Sequence, residues 1–269
     1  MVSSEQRRKQ LAREKYLRQQ QRRVQARRKA RIRGAVIAAA VVVVLGSVGA
    51  FAAFDNADTD GKTDNAADAA SPSPSKAPDP CDKPAKGKPN GKQWKKEPKL
   101  TVDKKADYTM SLHTTCGDID IAMDAAAAPH TVNSFAFLAK ENFFDHTPCH
   151  RLTTQGIYVL QCGDPTGTGS GGPGYTIPDE NLDAKSVKGG TYPAGTVAMA
   201  NTGQPDSGGS QFFLVYKDSP LPPKYTPFGT ISDSGMKVLK KIADAGAGGM
   251  RGQKPNATVV IDDAKVTKD

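Results

Sequence analysis

Residues 149–175 read CHRLTTQGIYVLQCGDPTGTGSGGPGY, and with VAMAN at 197–201 and GGSQFF at 208–213 they decide how this chain is read. The first stretch sets Arg151 and Gln161 among aliphatic and aromatic side chains, and the later two add Asn201 and Gln211. A guanidinium stays charged and offers a rigid fork of donors, while amides donate and accept. Such a set suits gripping a peptide and donating hydrogen bonds to it, not hydrolysing it. The Gly-rich run 167–175 lacks the Lys-Ser or Lys-Thr of a phosphate-binding loop, and VLQCGD ahead of it leads into no helical pattern. It is read as a structural turn lining a groove.

Working outward, Tyr108 to His113 and Asp118 to Met123 alternate apolar and polar residues around Thr115-Cys116-Gly117, which predicts a hairpin. Pro129 opens a helix, where Val132, Phe135, Ala136, Ala139 and Phe143 recur at helical spacing and belong to core packing. Short strands punctuated by Gly and Pro follow. A second helix is predicted over 236–245, with Gly246 just past its end, and 258–266 closes with alternating apolar residues. The pattern by itself supports a mainly antiparallel β-sheet with two helices.

The three quoted segments, taken in order with APHTVNSF at 128–135 and FGTI at 228–231, resemble the cyclophilins, the peptidyl-prolyl cis/trans isomerases that bind cyclosporin. The similarity runs from about Tyr108 to Val266. It implies a mainly β fold: an eight-stranded closed antiparallel barrel with a helix over each end. It also implies roles. Arg151 is the catalytic donor, with Gln161 and Phe213 beside it. Tyr158, Val159, Phe213 and Leu221 form the floor and wall that accept the proline ring. Gln161 and Asn201 hold the substrate backbone, and Gly169, Ala200, Thr202, Gln211 and Tyr225 line the remainder. The implied partners are proline-containing polypeptides. No cofactor or metal is implied, and the chemistry needs no acid, base or nucleophile.

Several positions depart from the family pattern. The loop between Arg151 and Gln161 is two residues longer than in the familiar eukaryotic members, which leaves Ile157 and Tyr158 as alternatives for the pocket. Tyr158 stands where a Phe is expected, Thr202 where an Ala is, and Tyr225 where a His is. The Trp that contacts cyclosporin has no counterpart, with Pro220 near its place, so the resemblance implies weakened cyclosporin binding.

Charge is distributed unevenly over the 269 residues. Residues 1–34 hold 13 Lys or Arg against Glu5 and Glu14, a net of +11, whereas the whole chain carries +9, which leaves −2 for the remainder. The basic character is local, so the high pI does not make the main domain a nucleic-acid binder. Residues 35–54 form a run of 20 uncharged residues, long enough as a helix to cross a bilayer. The basic N-terminal flank and Asp55, Asp58 and Asp60 beyond place the N-terminus in the cytoplasm and the rest outside. A cleaved signal peptide is the competing reading, from the small-x-small triplet Ala50-Phe51-Ala52.

From 55 to 100 the chain is rich in Asp, Ala, Ser, Pro, Lys and Gly, a composition that buries too little apolar surface to offset its ordering entropy. It is read as a flexible linker ahead of a globular domain at 101–269. Cys81, Cys116, Cys149 and Cys162 lie beyond the apolar run, where disulfides persist, and four cysteines allow three full pairings. The resemblance makes the strands flanked by Cys149 and Cys162 neighbours, which implies that bridge and leaves Cys81 for Cys116. Four reduced thiols are the alternative. No CxxC spacing occurs, and His146 and His150 complete no zinc ligand set.

The sequence therefore reads as a membrane-anchored isomerase acting on Xaa-Pro bonds of extracytoplasmic proteins and assisting their folding. The alternatives are a non-catalytic prolyl-peptide binding module and a wall-polymer adhesin using residues 84–100.

Overall fold

In the computed structural model the described residues are 78–249 and 253–269. The basic segment 1–34, the apolar run 35–54 and the first part of the expected linker lie outside them. Among the described residues no helix is long and apolar enough to cross a membrane.

Strands β1 (Tyr108–Thr114) and β2 (Gly117–Met123) form the expected hairpin, with Thr114 opposite Gly117 so that Thr115 and Cys116 make a two-residue loop. Alternation works as the sequence predicts: Met110, Leu112, Ile119 and Ile121 are buried on one face. Helix α1 (Pro129–Lys140) starts on Pro129 and buries Val132, Phe135, Leu138 and Ala139. Ala128 supplies no side-chain cap. Instead the Glu180 carboxylate accepts from the backbone N–H of His130 and Thr131, both at 2.9 Å, satisfying donors the helix leaves open and interacting favourably with the positive end of its dipole. Helix α2 (Asp233–Asp244) begins three residues before the sequence predicts, because the Ser232 hydroxyl caps it by accepting from the Gly235 N–H at 3.1 Å.

The other strands are β3 (Thr147–Pro148), β4 (Arg151–Leu152), β5 (Val159–Cys162), β6 (Thr191–Tyr192), β7 (Thr196–Met199), β8 (Phe212–Val215), β9 (Ser219–Pro220), β10 (Pro227–Ile231), β11 (Ala247–Gly248), β12 (Lys254–Pro255) and β13 (Val260–Lys268). Nine of them form one curled sheet in the order β3-β13-β1-β2-β10-β7-β8-β5-β4. The expected eight-stranded closed barrel is not what forms. The ladder ends at the two-residue strands β3 and β4, which do not pair with one another. What joins these edges is the chain itself: Pro148 and Arg151 are separated only by Cys149 and His150, a reach of about 11 Å at most.

Strands β5, β7 and β8 are buried on both faces. Leu160, Val197 and Leu214 point into the main core with α1 and α2, whereas Val159, Ala198, Phe213 and Val215 point into a smaller apolar cluster on the opposite side. That smaller cluster is where the site forms.

The expected linker extends only in part. Residues 78–100 carry no regular secondary structure, yet they lie against the domain as a strap. Cys81 is bonded to Cys116, and the Asp82 N–H donates to the Thr115 carbonyl at 2.8 Å. Asn90 donates to the Glu141 and Asn142 carbonyls, and the Trp94 ring meets Phe137 edge-on at 5.0 Å. Asn133 closes the strap by accepting from the Thr101 N–H at 2.8 Å. The ordering entropy is offset by a covalent bond, one aromatic anchor and side-chain bonds to distant residues, none of which composition reveals.

Candidate active site

Antiparallel register brings four residues into one row across four strands. Arg151 of β4 pairs with Gln161 of β5, Gln161 with Phe213 of β8, and Phe213 with Ala198 of β7. Directly opposed residues in antiparallel strands share a face, so the row places a cation, an amide, an aromatic ring and a methyl side by side. The Cys149–Cys162 disulfide ties the segments carrying Arg151 and Gln161, and both pairings implied by the resemblance are present.

A chain of hydrogen bonds runs along the polar end of this row. Arg151 Nε donates to Gln253 Oε1 at 2.9 Å, and its Nη1 donates to Gln161 Oε1 at 3.3 Å. Gln161 Nε2 donates to Gln211 Oε1 at 2.8 Å, and Gln211 Nε2 to the Gly171 carbonyl at 2.9 Å. Each amide thus receives through oxygen and passes the direction on through nitrogen. The half-buried guanidinium is held on two sides, and its Nη2 has no acceptor among the described residues. Gln253 is a residue that sequence reasoning missed. It reaches Arg151 because its carbonyl accepts from the Leu152 N–H at 2.7 Å, just ahead of β12.

The apolar end is centred on Phe213, which is 5% exposed. Tyr225 meets its ring at 5.5 Å in a T-shape and Tyr192 lies 6.1 Å away. Val159 packs beside it, with Ile157, Ala200 and Leu221 half-buried against the same cluster. The pairing of β6 with β9 carries Tyr192 and Leu221 into place, and the Tyr192 hydroxyl donates to the Tyr225 carbonyl at 2.7 Å. Tyr192 was not among the expected site residues, and of the two alternatives Ile157 packs against this cluster while Tyr158 does not. Its ring lies against Tyr216 at 5.8 Å with Lys217 Nζ 4.6 Å above it, away from Phe213. Extended backbone alternates, so with Val159 and Gln161 facing the row, Ile157 joins them and Tyr158 turns outward.

Asn201 uses its side chain to tie loops together: Nδ2 donates to the Lys224 carbonyl at 2.6 Å, and Oδ1 accepts from the Gly203 N–H at 3.0 Å. Ala200, Asn201, Thr202, Gly169, Gln161 and Gln211 line a groove of about 1020 Å³. The Gly-rich run is the structural turn the sequence predicts, and fully buried Asp164 organises it. Its carboxylate accepts from Thr166 N–H and hydroxyl at 2.7 Å and from the Gly169 N–H at 2.6 Å. A side chain at Gly171 would overlap Asp164 Oδ1. Burial alone would raise the Asp164 pKa, but the bonds from Thr166, Gly171 and Gly169 outweigh it and hold the carboxyl below its usual range. Beside it, His150 is held below its usual range mainly by burial, with Asp164 opposing and Arg151 reinforcing the shift. A neutral imidazole next to Arg151 fits a packing role better than proton transfer. Among the described residues no group of three or more His, Cys, Asp or Glu is placed to hold a metal ion.

The chain is similar to known proteins over the domain that carries this site. A family model described as cyclophilin type peptidyl-prolyl cis-trans isomerase matches residues 109–266, more than half of the chain. The probable peptidyl-prolyl cis-trans isomerase B of Mycobacterium tuberculosis is 48% identical over 165 residues, covering 58% of this chain and 53% of that protein. The chain thus spans about half the length of that relative. The peptidyl-prolyl cis-trans isomerase B of Bacillus subtilis is 40% identical over 127 residues, covering 47% of this chain and 83% of that protein. A crystal structure of a Cryptosporidium parvum cyclophilin type peptidyl-prolyl cis-trans isomerase superposes with a TM-score of 0.50 at 25% identity, over 61% of this chain and 99% of that one.

Proposed function

Because the chain belongs to the cyclophilin-type peptidyl-prolyl cis-trans isomerases, we propose that this cleft accelerates rotation about Xaa-Pro amide bonds in proteins outside the cytoplasm. Rotation of such a bond is slow because the nitrogen lone pair is delocalised into the carbonyl, with a barrier of about 18 to 20 kcal/mol. A donor at the prolyl nitrogen favours a localised lone pair, and it acts most strongly when the amide is twisted, which is the condition for acceleration.

One observation carries this reading: Arg151, oriented by Gln253 and Gln161, keeps Nη2 without a partner among the described residues while sharing a sheet face with the Phe213 cluster. Arg151 and Phe213 are two strands apart, roughly 10 Å between backbones at ordinary strand spacing. A proline ring resting on Phe213 fits in that interval with its nitrogen toward the guanidinium. Gln161 steadies Arg151 from the strand between them, and Val159, Leu221 and Tyr225 enclose the ring.

Extracytoplasmic placement rests on the 20-residue apolar run with its basic flank. Protease added to intact cells should remove the C-terminal domain, and protection until lysis would count against that placement. With Pro220 in place of a Trp, cyclosporin is expected to bind more weakly than to cyclophilins that have one. NMR exchange spectroscopy on an Xaa-Pro peptide tests the central claim. Accelerated exchange is expected, whereas binding without acceleration would favour a prolyl-peptide binding module.

A further inference from the structure

The groove continues past Gln161 and Gln211, and one of its walls comes from outside the matched domain. Gln93, Lys95 and Lys96 belong to the strap, ahead of residues 109–266, and line the groove beside the Gly-rich turn. The strap is pinned there. Trp94 N–H donates to the Pro173 carbonyl at 2.8 Å, and Gly174, at φ 87°, has the Trp94 carbonyl oxygen 2.8 Å from where a Cβ would stand, so only glycine permits the approach. Lys92 on one side bonds Glu141 at 2.9 Å, and Asn133 holds Thr101 on the other, so the strap backbone that carries Lys95 and Lys96 is held on both sides.

Both lysines are exposed, and neither makes an ion pair among the described residues. Among the described residues the only acid lining the groove is Glu97, whose carboxylate is 3.1 Å from His130 Nδ1. The rest of the lining consists of Gly, Ser, Thr, Asn, Gln and other uncharged side chains. The groove therefore carries two exposed lysines without ion pairs against a single carboxylate, Glu97, which is engaged with His130, so positive charge exceeds negative along this wall.

We infer that the strap is a specificity element: Lys95 and Lys96 favour Xaa-Pro substrates with an acidic side chain among the residues flanking the proline. This deepens the isomerase reading and rests on it. Attraction between exposed charges is modest, corresponding to roughly a two- to fivefold effect on affinity for such pairs, and it is screened by salt.

The test uses the full chain and a peptide series in which one residue near the proline is Asp, Ser or Lys in turn, at low and at high salt. Calorimetry gives affinity and NMR exchange gives turnover. At low salt the Asp peptide is expected to bind about two- to fivefold more tightly than the Ser peptide at one or more positions. Salt should erase the difference, and the double variant Lys95→Glu, Lys96→Glu should reverse it. Equal affinity for Asp and Ser at every position, or a double variant that slows all peptides alike, overturns the inference while the isomerase reading stands. If no peptide is accelerated at all, both fall together.

Discussion

Gln253 accepts a hydrogen bond from the Nε of Arg151 at 2.9 Å across 102 residues of chain. Nε is the rigid end of the guanidinium fork, so holding it sets the plane of the group and the direction in which Nη2 points. Gln161 alone, at 3.3 Å to Nη1, leaves that plane free to rotate about the bond it makes. Gln253 is thus a positioning residue, acting on the reaction only through Arg151.

Replacing Gln253 by Ala should lower kcat by about three- to tenfold, within the worth of one hydrogen bond to a charged group, with KM little changed. Gln253→Glu, which keeps the acceptor, should recover most of the loss. A proportional rise in KM, or no rescue by Glu, would show that Gln253 shapes the pocket instead.

Arg151→Ala should cost at least about tenfold in kcat, roughly 1.4 kcal/mol of barrier, while peptide affinity changes less. Phe213 contacts the proline ring in planar and twisted states alike, so a folded Phe213→Leu variant should mainly weaken binding. Exchange spectroscopy with calorimetry separates the two, and an Arg151→Ala protein with unchanged exchange rates would refute the assigned mechanism.

The strap's disulfide should carry measurable stability. Removing the Cys81–Cys116 bond, which spans 35 residues, is expected to cost about 2 to 4 kcal/mol in denaturant unfolding. A piece beginning at 101 should be less stable than one beginning at 78, since it also loses Trp94 from its contact with Phe137. Equal midpoints for the two pieces would mean that the strap rests on the domain without supporting it.

Asp164 links stability to pH. Its folded pKa lies below the ordinary 3.8, so the folded state favours the ionised form. The stabilisation is fully present above 3.8 and is lost as pH falls through the lower folded value. Asp164→Asn should destabilise by about 1 to 3 kcal/mol at neutral pH and show a smaller decline than the wild type over that acid window. Parallel declines in unfolding measurements at successive pH values would place the acid sensitivity elsewhere.

Local regularity is what the sequence determines here. Two-residue alternation defines β1 and β2, a 3.6-residue period and Pro129 define α1, and the ten-residue spacing of Arg151 and Gln161 suits the antiparallel pair they form. Resemblance along the chain brought in Phe213, Ala200 and Gln211, and the structure gathers them on one face and in one groove. Tyr158 and Ile157 were not separable from the sequence, because the face each residue takes depends on where extended pairing begins, and that is set by pairing with β8 and by the Ser219 hydroxyl that accepts from the Tyr158 N–H.

Only the tertiary structure decided the remainder. Whether the barrel closes depends on lateral hydrogen bonds between β3 and β4, strands adjacent in sequence but at opposite edges of the sheet. Gln253 follows a Gly-rich stretch with no period, and nothing local marks it as a partner of Arg151. The strap reads as a linker because its own residues bury little. What orders it is Cys116, Asn133, Phe137 and Pro173, all far along the chain. Composition reports the entropy a segment loses on ordering, while the contacts that offset that loss exist only once distant residues have been brought together.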